Sequence, residues 1–389
     1  MEQNLCPICR GDRIDVFFRV TNAPVFSVVT LKTKKEALNV PRKDIELAYC
    51  RSCGFIYNRL YDTSIDYFGI GYEDQQGFSK TFMQYLKRIA VELIEKYKLH
   101  GKNIVEIGCG KGDFINLFNK LAGGLGVGID PAYVEGRQNN SNLTFYKEFY
   151  SLEHGKIKSD LLCCRHTLEH IQQPRKFLQL INDSLGEDNK PVIFFEVPEI
   201  NRILSTSAFW DIYYEHCSYF NASSIAHLFR VTGFQILDIR IDYSDQYLLI
   251  EAIPAKEPPT EKFRIEESID EQRRRVNIFK RKISEQLNKW RNIMQGMKRQ
   301  GSKTVIWGGG SKAVGFLTNF SDFDIVEYVV DINPHMENNY IPGIGSKYVQ
   351  PNFLKEYRPD NVIIMNGVYA DEITGALNMM GLFPKVYTL

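Results

Sequence analysis

Short apolar runs alternate with stretches of helical periodicity through the centre of this chain. Five such runs occur, at 104–107, 125–129, 143–146, 160–165 and 192–196. Turn residues bound the runs, and apolar residues between them recur at helical spacing, most clearly at 111–121. Buried strands separated by amphipathic helices are typical of parallel sheets. The pattern therefore predicts a doubly wound α/β domain.

Two further strands and one helix complete this central domain. Strands are predicted at 234–242 and 247–253, joined by a short polar turn, and a helix is predicted at 223–232. A closing antiparallel hairpin behind five parallel strands favours a seven-stranded sheet over the six-stranded sheet of a dehydrogenase. Upstream, Ser79 predicts the N-cap of a helix over 80–97.

A second α/β unit follows a proline-containing linker and a charged stretch at 261–300 that predicts one or two long helices. Strands are predicted at 304–307, 326–330, 361–365 and 385–388, with helices at 313–320 and 369–380. This order repeats the start of the central domain and predicts a Rossmann-like fold. We therefore expect three parts, at 1–75, 76–256 and 257–389.

A glycine loop follows the first central strand, and the next strand ends in Asp130. Gly108, Gly110 and Gly112 permit a tight turn and a close backbone approach by a ligand, while the acid accepts hydrogen bonds from ribose hydroxyls. The glycine order departs from the NAD fingerprint, and Glu106 suits a cationic ligand better than a pyrophosphate. The loop resembles motif I of the class I S-adenosylmethionine-dependent methyltransferases. A strand–turn–helix without a ligand is the plain alternative.

Four of the eight cysteines form two C-x-x-C pairs near the N-terminus. Cys6 and Cys9 make the first pair, and Cys50 and Cys53 make the second. Two such pairs complete a tetrahedral zinc site with no position open for catalysis. A redox role is the weaker interpretation, because neither pair begins a helix after a strand. We expect a structural zinc ion, with the segment between the pairs folding back as a ribbon or loop.

Residues 199–222 form an insertion that a compact sheet does not need. Long ordered insertions at this edge of a sheet are commonly functional. Tyr213, Glu215 and His216 form a general-base set. In such a set the histidine accepts a proton, the glutamate orients the histidine, and the tyrosine donates a hydrogen bond to an oxyanion. A one-turn helix would place Tyr213 and His216 on one face and direct Glu215 to a neighbouring contact. A buried aromatic cluster with a hydrogen-bonded histidine is the alternative.

Two other segments offer candidate ligand contacts. The aromatic and glycine-rich segment 57–79, which includes Tyr72, can close over a nucleoside or simply pack. His166 and His170 follow the fourth strand one helical turn apart, a spacing that suits metal ligands, but no third ligand lies nearby in the sequence. Packing, or contact with the edge of a ligand, is the better interpretation for this pair.

The glycine turn of the second α/β unit also has the features of a binding loop. Ser311 and Lys312 follow it and begin a predicted helix. Backbone amides at a helix start, together with one ammonium group, can hold a phosphate. A degenerate Rossmann-like domain that only packs is the alternative.

Length and composition are those of a globular protein with two or three domains: 389 residues, of which 44% are hydrophobic. Lys and Arg total 48 against 47 Asp and Glu, so the net charge of +1 supplies no general field for nucleic acid. The sequence shows no apolar stretch long enough to span a bilayer and no signal-peptide pattern. The cysteine usage favours a reducing, cytoplasmic setting.

Together these motifs resemble one family over essentially the whole chain: the deoxysugar C-methyltransferases that act on nucleotide-linked ketosugars. Members combine a zinc domain with two C-x-x-C pairs, a class I methyltransferase domain, and a Rossmann-like domain with a glycine loop and lysine. They also carry a Tyr-x-Glu-His-x-Ser-Tyr-Phe element, which residues 213–220 match. The resemblance implies a three-domain α/β enzyme that uses S-adenosylmethionine and a structural zinc ion.

The motifs and the resemblance assign roles to individual residues. We expect the catalytic residues to be His216, Tyr213 and Glu215. The expected cofactor-binding residues are Glu106, Gly108, Gly110, Gly112, Asp130, Tyr72 and His166. The expected substrate-binding residues are Tyr219, Ser311 and Lys312, and the expected zinc ligands are Cys6, Cys9, Cys50 and Cys53.

The expected reaction is methylation of a carbon beside a keto group, in which a base generates an enolate that attacks the sulfonium methyl group. Methylation of a sugar hydroxyl by the same base stays open. Two further functions also stay open: an RNA methyltransferase, which the net charge disfavours, and a scaffold protein without activity. We expect a small-molecule substrate, no nucleic-acid or membrane partner, and a monomer or weak homo-oligomer.

Overall fold

The computed structural model describes residues 5–65, 71–186 and 189–389, and the strands in these ranges form three sheets. Residues 66–70, part of the predicted aromatic segment, lie outside the described residues. No helix in the described ranges combines the length and apolar character that crossing a membrane requires.

The N-terminal sheet contains the segment between the two cysteine pairs and the chain just after the second pair. Its strands are β1 (Ile14–Pro24), β2 (Arg42–Cys50) and β3 (Ile56–Asn58), with the short helix α1 (Lys34–Leu38) between β1 and β2. The pairings β1–β2 and β2–β3 are antiparallel, so Ile14 lies opposite Cys50. The predicted ribbon is thus present, and it returns the second cysteine pair to the first.

The central sheet has the seven strands that the hairpin pattern predicts. In chain order the elements of this part of the chain are α2 (Lys80–Tyr97), β4 (Ile104–Ile107), α3 (Asp113–Ala122), β5 (Gly126–Ile129), β6 (Leu143–Tyr146), β7 (Leu161–Arg165), α4 (Pro174–Leu185), β8 (Val192–Pro198), α5 (Ile200–Thr206), β9 (Ser218–Tyr219), α6 (Ala222–Val231), β10 (Phe234–Asp242) and β11 (Tyr247–Pro254). Of these strands, β9 belongs to the N-terminal sheet and the other seven form the central sheet. The strand order is β10-β11-β8-β7-β4-β5-β6. The β10–β11 and β11–β8 pairings are antiparallel and the others parallel. Ser79 caps α2 as predicted, because its side chain accepts a hydrogen bond from the Phe82 amide.

The C-terminal sheet is wholly parallel. Its elements are α7 (Ile269–Gln300), β12 (Thr304–Trp307), α8 (Ser311–Thr318), β13 (Val326–Val330), β14 (Lys347–Val349), α9 (Leu354–Tyr357), β15 (Asn361–Ile364), α10 (Ala370–Met379) and β16 (Lys385–Thr388). The strand order is β14-β13-β12-β15-β16. The charged stretch forms one helix, which begins at Ile269 because Ser268 caps it, rather than at 261. The short elements β14 and α9 were not predicted, since they are too brief to show a period.

The insertion at 199–222 joins the central sheet to both neighbouring parts. Its strand β9 pairs with β3 and extends the N-terminal sheet, while the ring of Phe209 stacks on Phe316 of α8 with centres 5.9 Å apart. The predicted one-turn helix at 213–216 is wrong. These residues form a turn in which the His216 amide donates to the Tyr213 carbonyl at 3.3 Å. The chain extends into β9 at Ser218, so the turn does not propagate as a helix.

Candidate active site

A cavity of about 380 Å³ lies where the carboxyl ends of the central and C-terminal sheets face each other. Its wall includes residues that directly follow β7, β8, β12, β13 and β15. Ligands of open α/β sheets bind at this edge. Six of the predicted site residues line the cavity: Tyr72, His166, Tyr213, His216, Ser311 and Lys312.

Tyr213 and His216 form a hydrogen-bonded pair in the cavity wall. The Tyr213 hydroxyl and His216 Nε2 lie 2.9 Å apart, because the turn folds one side chain over the other. Burial, and then the charges of nearby histidines and Lys312, hold the pKa of His216 well below its usual range, so the imidazole is neutral near pH 7. Burial raises the pKa of Tyr213 well above its usual range, so the hydroxyl keeps its proton. A neutral imidazole beside a phenol can accept a proton directly or through the tyrosine.

Glu215 turns away from His216 and contacts two other segments. Its carboxylate accepts a hydrogen bond from the Ser27 amide at 2.6 Å and lies 3.4 Å from the Tyr72 hydroxyl. Burial raises the pKa of Glu215 to about 7, while the contact with Ser27 opposes the shift. The glutamate therefore ties the insertion to the segment after β1 and to the aromatic segment. It does not hold the imidazole, so a direct orienting contact with His216 is absent.

Tyr219, expected to bind substrate, lies outside the cavity wall. It belongs to β9 and is 3% exposed, and its ring stands behind that of His216 with centres 6.2 Å apart. Pairing of β9 with β3 directs this side chain into the protein interior. The remaining predicted residues, Glu106, Gly108, Gly110, Gly112 and Asp130, also lie outside the cavity wall, at the glycine loop.

The glycine loop after β4 folds around Asp130. The carboxylate accepts hydrogen bonds from the Gly110 amide at 2.8 Å and the Ala132 amide at 2.6 Å. Gly112, with φ of +82°, turns the chain into α3, and an added Cβ there would meet the Phe145 ring at 2.8 Å. Burial raises the pKa of Asp130 to about 6. The fold therefore brings loop and acid together, and their contact with a ribose stays a prediction.

Glu106 supports this loop from the sheet side. It is 2% exposed, and its carboxyl oxygen accepts a hydrogen bond at 3.1 Å from the Ile115 amide in the first turn of α3. Burial raises the pKa of Glu106 to about 8, and the charge of Arg165 opposes the shift. The carboxyl group therefore holds its proton near pH 7. The contact of Glu106 with a cationic ligand stays a prediction.

The segment 71–79 lies between the glycine loop and the C-terminal domain. Lys111 Nζ stands 5.6 Å from the centre of the Tyr72 ring and 3.4 Å from the Asp74 carboxylate. On the other side, the Asn333 side chain donates to Glu73 at 3.1 Å. The segment therefore has the position required of one that closes over a nucleoside at the loop.

The C-terminal domain repeats the loop-and-acid arrangement around Asp331. Its carboxylate accepts hydrogen bonds from the Gly309 amide at 2.7 Å and the Asn333 amide at 2.8 Å. Asp130 makes the equivalent pair of contacts in the central domain. Unlike Asp130, Asp331 lines the cavity. The second acid is therefore placed to meet a ligand there.

Lys312 belongs to an ionic cluster that joins the two domains across the cavity. Its Nζ lies 2.7 Å from the Asp211 carboxylate and 3.2 Å from the Gln246 side-chain oxygen, and Asp211 also pairs with Arg202. Burial alone would raise the pKa of Asp211, but Lys312 and Arg202 lower it below its usual range. Two cations share one carboxylate, which leaves positive charge in the wall. Beside this cluster, the Ser311 hydroxyl lies 2.8 Å from that of Ser27.

His166 belongs to a buried ionic network behind the cavity. Glu196 lies 2.6 Å from Arg165, 2.7 Å from His166 and 2.5 Å from the Tyr85 hydroxyl. Burial opposes ionisation of Glu196, but Arg165 and His166 lower its pKa to about 2. Burial likewise disfavours the imidazolium, but Glu169 and Glu196 raise the pKa of His166 to about 9. His166 therefore faces the cavity as a cation held by two carboxylates.

The two cysteine pairs converge as predicted. Cys6 Sγ lies 3.5 Å from Cys53 Sγ, Cys9 Sγ lies 3.6 Å from Cys50 Sγ, and all four sulfur atoms lie within 4.8 Å of one another. A tetrahedral site with Zn–S bonds of about 2.3 Å separates the sulfur atoms by about 3.8 Å. The cluster is therefore compatible with a zinc ion, and the Gly11 amide, 3.4 Å from Cys9 Sγ, adds a donor that stabilises a thiolate.

Sequence reasoning missed several residues of the cavity wall. They include Asp74, Glu169, Arg202, Asp211, Gln246 and Asp331. Asp331 carried a signal, because it follows the second strand of a glycine-loop unit as Asp130 does. His166 and His170 do not share a helix: His166 has φ of +50°, and a 3₁₀ turn (Leu168–His170) begins after it. No local pattern marks the remaining residues, since they come from loops far apart in the chain.

Comparisons with known proteins match two parts of the chain. Residues 79–239 match the family described as "Methyltransferase domain", and residues 260–381 match "C-methyltransferase C-terminal domain". The C-methyltransferase NovU of Streptomyces niveus is 22% identical over 351 residues, which cover 85% of this chain and 81% of NovU.

Similar solved structures are also methyltransferases. Magnesium protoporphyrin IX methyltransferase (ChlM) from Synechocystis PCC 6803, with S-adenosylhomocysteine bound, is 15% identical and covers 45% of this chain and 84% of its own, with a TM-score of 0.35. The 1,6-didemethyltoxoflavin-N1-methyltransferase of Burkholderia thailandensis is 15% identical and covers 44% of this chain and 79% of its own, with a TM-score of 0.34. With its seven-stranded sheet, glycine loop and two matched domains, the chain is an S-adenosylmethionine-dependent methyltransferase that carries a C-methyltransferase C-terminal domain.

Proposed function

We propose that this enzyme methylates a carbon atom beside the carbonyl group of a nucleotide-linked ketosugar. The observation that carries the proposal is the contact of 2.9 Å between the Tyr213 hydroxyl and His216 Nε2 in the cavity wall. A carbon acceptor must lose a proton before it becomes a nucleophile, so the reaction needs a positioned base. The relative NovU, which is described as a C-methyltransferase, supports carbon as the acceptor.

The glycine loop of the central domain is the proposed cofactor site. S-adenosylmethionine supplies an electrophilic methyl group when it is bound. Asp130, already fixed by two backbone amides, would accept hydrogen bonds from the ribose hydroxyls, and the backbone at Gly108 and Gly110 would approach the ligand closely. Tyr72 would cover the site from the aromatic segment. An added Cβ at Gly108 would meet Thr167 Oγ1 at 1.9 Å, so the loop tolerates no side chain there.

The C-terminal side of the cavity is the proposed nucleotide-sugar site. Lys312 and Arg202 share the single carboxylate of Asp211, and the unbalanced positive charge favours a diphosphate. Ser311 begins α8 at the same loop, where backbone amides and the helix dipole also favour an anion. Asp331 would accept a hydrogen bond from the sugar of the nucleoside, as proposed for Asp130 in the other domain. Each loop-and-acid unit would therefore hold one nucleoside.

His216 is the proposed proton acceptor, acting directly or through the Tyr213 hydroxyl. Its imidazole is neutral because burial lowers its pKa, so the lone pair needed to accept a proton is present near pH 7. Tyr213 keeps its proton and can donate to the oxygen of the developing enolate. The enolate carbon formed in this way would be the nucleophile for the methyl group that bound S-adenosylmethionine supplies, and S-adenosylhomocysteine would be the leaving group. Positioning of both reactants in one cavity supplies the remaining rate enhancement.

Exchange of the acidic proton tests this proposal without the cofactor. A nucleoside diphosphate-linked 4-ketosugar is incubated with the enzyme in D₂O, and deuterium at the carbon beside the carbonyl is followed by NMR. We expect enzyme-dependent exchange that falls by about 10²- to 10⁴-fold in His216→Asn, the range for loss of a general base. His100→Asn, which changes an exposed histidine, is the matched control.

Product analysis completes the test and separates carbon from oxygen as the acceptor. With S-adenosylmethionine present, a new carbon–carbon bond is expected in the product. Methylation of a hydroxyl, with no deuterium exchange beforehand, would contradict the proposal and favour an O-methyltransferase on the same scaffold. Exchange retained in His216→Asn but lost in Tyr213→Phe would assign the base to the tyrosine.

We also propose that the cysteine cluster holds zinc in a structural role. Cys6, Cys9, Cys50 and Cys53 fill all four positions of a tetrahedral site, which is typical of zinc ions that stabilise a fold. The cluster connects the start of β1 with the turn after β2, and the small N-terminal sheet benefits from such a crosslink.

A further inference from the structure

Glu169, His170 and His216 meet at one point of the cavity wall. A ring nitrogen of each histidine and a carboxylate oxygen lie within 4.8 Å of one another. The first two residues belong to the 3₁₀ turn after β7, and the third belongs to the insertion. The Cys217 amide donates to the Glu169 carbonyl at 3.0 Å, so the two segments are fixed side by side.

We propose that this triad binds a divalent transition-metal ion. Two imidazoles and one carboxylate are a donor set that Fe²⁺, Co²⁺, Ni²⁺ and Zn²⁺ accept, and the cavity leaves the other coordination positions open. Metal–ligand bonds of about 2.1 Å place neighbouring donors about 3 to 3.4 Å apart. The three donors must therefore approach one another by at most about 2 Å, which rotation of the side chains provides.

One carboxylate oxygen of Glu169 is buried without a hydrogen-bond partner among the described residues. The residue is 1% exposed, and its Oε2 has no hydrogen-bond partner among the described residues. Its Oε1 lies 3.5 Å from His166 Nδ1, so only one of the two oxygens is engaged. A buried carboxylate oxygen without a partner costs free energy, and a cation bound there would recover it.

The imidazole of His170 is oriented as metal-binding histidines are. It donates a hydrogen bond to the backbone carbonyl of Glu215. Such a contact from one ring nitrogen fixes the tautomer and leaves the other nitrogen to bind a metal. The ring of His216 lies edge-on to that of His170, with centres 4.9 Å apart. The two imidazoles therefore lie next to each other in the cavity wall.

The cations near the triad each contact another carboxylate. His166 contacts Glu196 at 2.7 Å, and Lys312 contacts Asp211 at 2.7 Å. Glu169 Oε2, which has no hydrogen-bond partner among the described residues, is therefore the carboxylate oxygen that a further cation would meet.

A metal ion bound at this site would prevent His216 from acting as a base. A metal ion on His216 takes the lone pair that proton abstraction needs, so loading with metal should inhibit methyl transfer. This consequence rests on the proposed function, whereas the binding itself does not. The ion would act on a different set of residues from the cysteine cluster, and the two sites differ in ligand chemistry.

Cobalt binding tests the site directly. The enzyme is used as purified, with the metal of the cysteine cluster left in place. Thiolate ligands give Co²⁺ intense charge-transfer absorption, whereas nitrogen and oxygen ligands give only weak visible bands. We expect one equivalent of Co²⁺ per chain with the weak bands, and at least tenfold weaker binding in both Glu169→Gln and His170→Asn. His100→Asn is the matched control, because His100 is exposed and contacts only Glu95, at 3.3 Å. Thermal unfolding confirms that each variant is folded.

Four outcomes decide the proposal. Failure to bind Co²⁺ beyond the cysteine cluster would overturn it, as would equal affinity in Glu169→Gln and the control. Inhibition of methyl transfer by Co²⁺ that persists unchanged in a folded Glu169→Gln would also overturn it. Binding that depends on Glu169 but does not inhibit would support the site and remove His216 from the role of base, so the two proposals fail separately.

Discussion

Replacement of Glu106 by glutamine tests what the buried acid of the glycine loop does. Burial raises its pKa from 4.5 to about 8, a difference of about 3.5 units. At 1.36 kcal/mol per unit, the ionised form is disfavoured in the folded protein by up to about 5 kcal/mol. Glutamine is neutral, nearly the same shape, and still offers an oxygen to the Ile115 amide.

The sign of the effect follows from proton binding. The folded protein holds this proton up to about pH 8, whereas the unfolded chain releases it near pH 4.5, so the stability of the wild type falls as pH rises between these values. Glu106→Gln removes this contribution. We therefore expect wild type and variant to be similar at the acidic end, and the variant to be more stable above pH 8 by up to about 5 kcal/mol.

Thermal unfolding between pH 5 and 9 (about the range spanned by these pKa values) measures the difference. Asp130, whose pKa is about 6, titrates in both proteins and cancels when the curves are subtracted. Glu95→Gln, at an exposed side chain, controls for the substitution itself. Parallel curves for wild type and variant would show that Glu106 is already ionised and that the reasoning from burial is wrong.

Cofactor affinity provides a second readout for the same variant. Glutamine can still accept the hydrogen bond from the Ile115 amide and, like the protonated acid, carries no charge at pH 7, so we expect Glu106→Gln to change the Kd for S-adenosylmethionine less than about tenfold, or 1.4 kcal/mol. Isothermal calorimetry at pH 7 measures it. A larger loss in a folded variant would return Glu106 to the direct cofactor contact that its sequence position suggested.

Four further substitutions test other parts of the molecule. Asp130→Ala should weaken S-adenosylmethionine binding by roughly 1 to 3 kcal/mol, measured by calorimetry, and unchanged affinity would place the cofactor elsewhere. Cys50→Ser should lower both metal content and melting temperature while cofactor affinity is retained, and a full complement of zinc in the variant would contradict the four-thiolate site. Asp211→Asn leaves two buried cations unpaired and should cost about 3 to 5 kcal/mol, more than Lys312→Met, which leaves the carboxylate paired with Arg202. Denaturant unfolding that ranks these two variants in the opposite order would show that the cluster is solvated.

Most of the fold could be predicted because its elements carry local signals. The strands 104–107 and 143–146 were predicted with the bounds that the structure has, since buried parallel strands are short apolar runs between turn residues. The helix at 80–97 was marked by both its period and its cap. The start of α7 was placed too early, because the charged residues before Ser268 suit a helix by composition while the cap fixes its true beginning.

Contacts in the candidate site could be predicted only between reactive residues that are close together in the chain. Tyr213 and His216 meet through a turn, so three residues of sequence separation were enough to suggest the pair. Glu169 and His170 lie far from His216 in the chain, and the sequence gives no sign that the carboxyl end of β7 meets the insertion. Composition and spacing describe each segment, but only tertiary packing decides which loops share a wall.

The same packing makes the base depend on all three parts of the chain. The Ser27 amide holds Glu215, one residue before the proposed base, and the Ser27 hydroxyl contacts Ser311 at the C-terminal glycine loop. Strand β9, immediately after the base, is held by β3 of the N-terminal sheet. Within the central domain, the Cys217 amide donates to the Glu169 carbonyl at 3.0 Å, so the insertion around His216 is held from all three parts of the chain. Loss of the N-terminal sheet should therefore displace the base while the glycine loop around Asp130, which is held by contacts within the central domain, keeps its geometry.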